Sequence, residues 1–168
     1  QAEGIFASAA CGVIIPKSHL AAVDPHGDIT KTRPPYQPGD LVLCRDLVAI
    51  NLTMNGGPIT FHDSFPDGPK HVDMSEVFSR RLNNVLLRAA RELDIELKTD
   101  ALITTTMGPG YETPAEIRVF SEMDISLVGM TTAYEAKLAR ELGIPYTVTA
   151  IGTNWAAGIT DRPLTHDE

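Results

Sequence analysis

Three polar positions at the ends of apolar segments carry side chains that can do chemistry. Glu112 follows Gly108-Pro109-Gly110-Tyr111 directly after the apolar run Ala101–Met107. Its carboxylate accepts hydrogen bonds only, and so suits a ligand edge that carries N–H donors. Thr131 and Thr132 follow Leu127-Val128-Gly129-Met130, where hydroxyls and the free N–H groups of a starting helix suit an anion. Asn154 follows the apolar, β-branched strand predicted over Ile144–Ile151, in the ending Gly152-Thr153-Asn154-Trp155-Ala156-Ala157-Gly158. A polar amide followed by small residues marks either a ligand crevice or a turn. The other two positions also have purely structural readings: Glu112 as a favourable charge before a helix, the threonines as helix caps.

The elements that must position these residues follow from periodicity and punctuation. Thr113-Pro114-Ala115-Glu116 and Thr132-Ala133-Tyr134-Glu135 both read T-x-x-E, the pattern in which hydroxyl and carboxylate satisfy orphan backbone donors. Two strand-to-helix turns are therefore predicted in succession, with both helix starts facing the crevice where open α/β sheets bind ligands. Upstream, Gly4–Ala10 reads as a buried strand ending at Cys11-Gly12, and Leu41–Ile50 as one or two short strands. Val13–Gly39 and Asn51–Asp73 read as loops. His62 and His71, with Asp63 and Asp73 beside them, match no standard metal spacing, so no metal is expected. A long helix is predicted from Met74 to Leu93, capped at Asp73-Met74-Ser75-Glu76, with Phe78, Leu82, Val85, Leu86, Ala89 and Leu93 on one apolar face. The helix after Thr132 is expected to stop at Gly143. Together these make a single α/β domain over residues 1–168, a mixed central β-sheet flanked by helices.

Composition narrows the function classes. Lys and Arg number 14 against 22 Asp and Glu, a net charge of −8, which argues against nucleic acid or an anionic membrane as partner. The two cysteines, Cys11 and Cys44, sit inside apolar segments and form neither a disulfide framework nor a C-x-x-C pair. They read as reduced core thiols of a cytoplasmic protein. No apolar run has the length of a membrane span.

The segments SAACG (8–12), PGDLVLCRD (38–46), HVDMSEVF (71–78), GPGYETPAEIRVF (108–120), GMTTAYEAKLARELG (129–143) and GTNWAAGI (152–159) resemble, in order, the trimeric purine nucleoside phosphorylase and methylthioadenosine phosphorylase family. The resemblance covers nearly the whole chain. It implies a homotrimer that uses inorganic phosphate, with no other cofactor, to split a purine nucleoside into free purine and ribose 1-phosphate.

Residue by residue, the resemblance gives Ala9 a backbone N–H on phosphate and Thr131 a hydroxyl on phosphate. Met130 would lie against the ribose, and Tyr111 would line the sugar and base pocket. Ala10 and Gly129 are substrate-binding positions as well. Glu112 would accept from purine N1–H, Asn154 would bond the N7 and O6 side of the base, and His166 would sit near the ribose 5′ position. Glu112 and Asn154 are then the catalytic pair, and an amide at position 154 implies 6-oxopurines such as those of inosine and guanosine. The loop Thr60–Phe78 is closer to the methylthionucleoside branch, which implies 5′-methylthioinosine or 5′-methylthioadenosine as the alternative substrate.

The chain also departs from the family. Ser8 and Cys11 stand where Asn and Gly are expected. The glycine-rich phosphate loop, with its Arg and His, would precede SAACG, and a C-terminal helix would follow Glu168. The expectation is therefore an incomplete phosphorylase-like domain, with a non-catalytic purine-binding domain as the competing reading.

Overall fold

The computed structural model describes residues 3–20, 34–50, 52, 57–62, 70–161 and 163–165. Five strands and four helices alternate along the described chain: β1 (Ile5–Val13), α1 (Lys17–Leu20), β2 (Leu41–Val48), α2 (Arg80–Glu92), β3 (Leu97–Thr105), α3 (Pro114–Glu122), β4 (Leu127–Gly129), α4 (Thr132–Glu141) and β5 (Tyr146–Trp155). The α/β class and the mixed sheet agree with the sequence reading. The sheet is not open, however. It closes into a barrel in the order β1-β4-β3-β2-β5. Parallel pairs join β1 to β5, β2 to β3 and β3 to β4, while β1–β4 and β2–β5 run antiparallel.

The residues that point inward explain the closure. Cys11, Val13, Val42, Cys44, Ala101, Ile103, Leu127, Val148 and Ala150 are nearly all fully buried and form one cluster. Five strands enclose a narrow lumen, and mostly small or β-branched side chains fill it. Ile14, Ile117, Ile125, Val128 and Ala156 make a second cluster beneath α3. Burial pushes the Cys11 thiol up to about 12 and raises that of Cys44 also. Both cysteines are therefore neutral core residues near pH 7.

Three local expectations are corrected. β1 does not end at Cys11-Gly12 but continues to Val13, its pairing with β5 slipping between those two residues. The long helix begins at Arg80, not Met74. Ser79 is its N-cap, with a side chain that accepts from the Leu82 N–H, while Asp73 caps the separate turn at Ser75. The reason is packing: Val77 and Phe78 are drawn into the core, with the Phe78 ring 6.2 Å from that of Tyr146, and a helix through them would carry them away from it. Within α2 only Leu82 and Ala90 are buried, and Val85 is exposed, as is Leu93 just beyond its end.

The third correction concerns the paired T-x-x-E motifs. At Thr113 the capping box is complete: Thr113 Oγ1 accepts from Glu116 N–H at 3.2 Å and Glu116 Oε2 accepts from Thr113 N–H at 2.7 Å. At the second turn the N-cap is Thr131, one residue earlier, and it makes no side-chain cap bond. Glu135 instead accepts from the Tyr146 hydroxyl at 2.7 Å. Gly143 ends α4 as expected, in a left-handed conformation (φ 67°).

Candidate active site

β1 runs parallel to β5 and β3 parallel to β4, while β1 and β4 are antiparallel and meet at Gly12–Val128 and Val13–Leu127, so that the candidate residues of all four segments gather there. Ala9 and Ala10 lie in β1, Tyr111 and Glu112 in the turn after β3, Gly129–Thr131 in the turn after β4, and Asn154 near the end of β5. All eight line one cavity of about 510 Å³. His166 lies outside the described residues. The cavity is also lined by Ser8, Gly12, Thr153 and Thr165, none of which the residue types alone single out. Thr153 had a signal only in its adjacency to Asn154.

Two turns meet here at a glycine. Gly108 has φ 64°, a left-handed conformation that favours glycine, and the Met130 side chain of the β4 turn lies against it, its Sδ 2.7 Å from where a Cβ would stand. Backbone bonding supports the contact, since Thr106 N–H donates to Gly129 O at 2.9 Å.

The three consecutive threonines at the end of β3 and just beyond it then divide their work. Thr104 Oγ1 donates to Val48 O at 2.9 Å. Thr105 Oγ1 accepts from Ala133 N–H at 3.0 Å. Thr106 Oγ1 donates to Glu112 Oε1 at 2.5 Å. Glu112 is 9 % exposed, and no described residue donates to its Oε2. A nearly buried carboxylate with one oxygen held by a protein hydroxyl and the other open to a cavity is set to accept from a ligand.

Asn154 Oδ1 accepts from Thr153 Oγ1 at 2.8 Å, and its Nδ2 donates to Trp155 O at 2.9 Å. The amide is thereby oriented, with the second Nδ2 hydrogen left for a ligand acceptor. Tyr111 is half exposed, its hydroxyl 3.5 Å from Thr165 O. Thr131 is exposed at the start of α4.

The expectation that two helix starts face one crevice is only half met. The α4 start lines the cavity through Met130 and Thr131, whereas Thr113 and Pro114 at the start of α3 do not; Pro114 lines a different groove with Ile117 and Ile159. The α3 end also carries its own neutralising carboxylate in Glu116. Of the two predicted helix starts, that of α4 is the one in a position to offer this cavity an anion seat.

A second cavity of about 540 Å³ lies between β2, β3 and α2, lined by Arg45, Asp46, Arg80, Asn83 and Asp100 among others. Size does not separate the two. Chemistry does: the first cavity gathers an oriented amide, a half-satisfied carboxylate and a helix start from four chain segments, and the second mixes exposed charges of both signs.

The geometry agrees with the ancestry. The chain belongs to the phosphorylase superfamily, whose sequence model matches residues 31–168. It is 43% identical over 133 residues to a probable S-methyl-5′-thioinosine phosphorylase of Methanopyrus kandleri, covering 79% of this chain and 50% of that protein. It is 36% identical over 140 residues to a probable 6-oxopurine nucleoside phosphorylase of Moorella thermoacetica, covering 83% and 53%. The fold superposes on methylthioadenosine phosphorylase from Schistosoma mansoni in complex with adenine with a TM-score of 0.75 at 25% identity, over 97% of this chain and 55% of that one. The family resemblance carried by the six sequence segments is thus borne out, and the chain spans about half the length of the curated relatives it matches.

Proposed function

We propose that the full-length protein is a pentosyltransferase that phosphorolyses a 6-oxopurine nucleoside to the free base and a pentose 1-phosphate. The observation that carries this reading is the convergence of Glu112, Asn154 and Thr131, from two turns and the end of β5, on one cavity. A 6-oxopurine presents an N–H donor beside an oxygen acceptor, which matches an acceptor-only carboxylate and an amide that still has a hydrogen to give. Cleavage of the glycosidic bond develops positive charge on the sugar and negative charge on the departing base. A phosphate against Thr131 and the Ala9 N–H faces the cation. Asn154 donates to the base nitrogen as charge arrives there, an interaction worth about 3 kcal/mol in a water-poor site. Ala10, Tyr111, Gly129 and Met130 enclose the sugar, and inorganic phosphate is the only co-substrate required. Reduced, buried thiols suit a cytoplasmic location, and the family resemblance points to a homotrimer. Among the described residues no helix is long and apolar enough to cross a membrane.

A second reading replaces the 5′-hydroxyl with a methylthio group. It is favoured by the likeness to the Methanopyrus kandleri protein, a probable S-methyl-5′-thioinosine phosphorylase. Both readings share the base-recognition chemistry. The test is hypoxanthine release by the full-length protein from inosine and from 5′-methylthioinosine, with and without phosphate. Release that requires phosphate supports the proposal, and the faster nucleoside selects between the two readings. Equal release without phosphate points to hydrolysis, and binding of base without turnover supports a non-catalytic domain.

A further inference from the structure

We infer that Thr106 is a positioning residue for base selection, its hydroxyl fixing the Glu112 carboxylate so that Oε2 alone meets the base; this rests on the purine reading of the cavity. Thr106 is half-buried and does not itself line the cavity, whereas Glu112 does. Its hydroxyl reaches Glu112 Oε1 at 2.5 Å from the protein side, a length expected for a hydroxyl donating to an ionised carboxylate. The Thr106 N–H is itself bonded to Gly129 O at the end of β4, so the donor is tied to the sheet.

The consequence is selectivity. A free glutamate side chain has three rotatable bonds and presents either oxygen in many directions. With Oε1 held, the remaining lone pairs of Oε2 point into the cavity at a fixed place, and the ordering cost is met before ligand arrives. A base with an N–H at that edge gains a charge-assisted hydrogen bond. A 6-aminopurine has a bare ring nitrogen there, and sets lone pair against lone pair. Removing the hydroxyl allows the carboxylate to swing away from the unfavourable partner, so discrimination falls along with affinity for the favoured base.

The test uses the full-length protein and two free bases, hypoxanthine and adenine, in equilibrium binding. Thr106→Val keeps the β-branch and removes the donor, and Thr106→Ser restores a donor without the methyl. The expected result is hypoxanthine affinity about tenfold weaker in Thr106→Val, or about 1.4 kcal/mol, with adenine weakened less or not at all. Thr106→Ser returns hypoxanthine to within about threefold of the native value. In turnover the loss falls on KM, with kcat nearly kept, because Glu112 holds the base in ground state and transition state alike. Unchanged hypoxanthine affinity in Thr106→Val, or an equal loss for both bases, would overturn the inference. Failure of the native protein to bind hypoxanthine would instead overturn the purine reading on which it stands.

Discussion

The two strand-to-helix turns carry the same four-residue pattern and put it to opposite uses. At the α3 start the threonine and glutamate close on each other through Thr113 and Glu116. At the α4 start the glutamate is claimed by Tyr146 from β5, and Thr131 is left exposed without a cap bond. The first helix end is finished by its own residues and lies outside the cavity. The second is capped from outside at Ala133, whose N–H is taken by Thr105, is left without a bond from its own Thr131 side chain, and lines the cavity. A helix start that is already neutralised is scaffold, and one that is not has binding capacity to spare.

The comparison can be broken most forcefully within the first turn, which holds two glutamates four residues apart. Glu112→Gln should lower kcat/KM for a 6-oxopurine nucleoside by about 10- to 100-fold, the range for a hydrogen bond to a charged group, with thermal stability little changed. Glu116→Gln should do the reverse, leaving kcat/KM alone and costing under about 1 kcal/mol of stability as the cap weakens. Steady-state kinetics beside denaturant melts read both. Equal kinetic losses in the two variants would mean that the turn acts as one unit and that the division of labour is false.

Next in size is the exchange between turns. Thr131→Ala should raise the KM for phosphate about tenfold and shift stability by less than about 0.5 kcal/mol. Thr113→Ala should cost about 1 kcal/mol of stability and leave the phosphate KM where it was. If Thr113→Ala weakens phosphate as much as Thr131→Ala, both helix ends serve the anion after all.

The smallest effect concerns Glu135. Tyr146→Phe should destabilise by about 1 kcal/mol, since it removes the hydroxyl through which a buried tyrosine bonds the exposed Glu135 carboxylate. A denaturant titration showing no loss would restore Glu135 to a capping role.

What the sequence revealed divides along the same line. The capping box at Thr113, the stop at Gly143 and the existence of a strand after it are local matters, settled by residues within a turn of one another, although that strand runs to Trp155 and not to the expected Ile151. The barrel closure, the late start of α2 and the fate of Glu135 are not local. Closure depends on the three-residue strand β4 bridging β1 and β3, and so short a strand carries almost no periodic signal. The α2 start was overridden by the burial of Val77 and Phe78, and Glu135 by a tyrosine 11 residues away in β5. For the site, Glu112, Thr131 and Asn154 were visible because polar residues at the ends of apolar runs are conspicuous. Thr106 was not, because the run of three threonines reads as ordinary strand until each hydroxyl has a partner.

On the proposed function, one cavity and not the other holds a base between Glu112 and Asn154, with an anion at the start of α4. A crystal structure of the full-length protein with hypoxanthine and phosphate tests it most directly. The account predicts the base ring with its N–H on Glu112 Oε2 and its five-membered edge toward Asn154 Nδ2, and phosphate within hydrogen-bond reach of Thr131 Oγ1. A base lodged between Arg45 and Arg80, or a phosphate at the start of α3 beside Thr113, would contradict it.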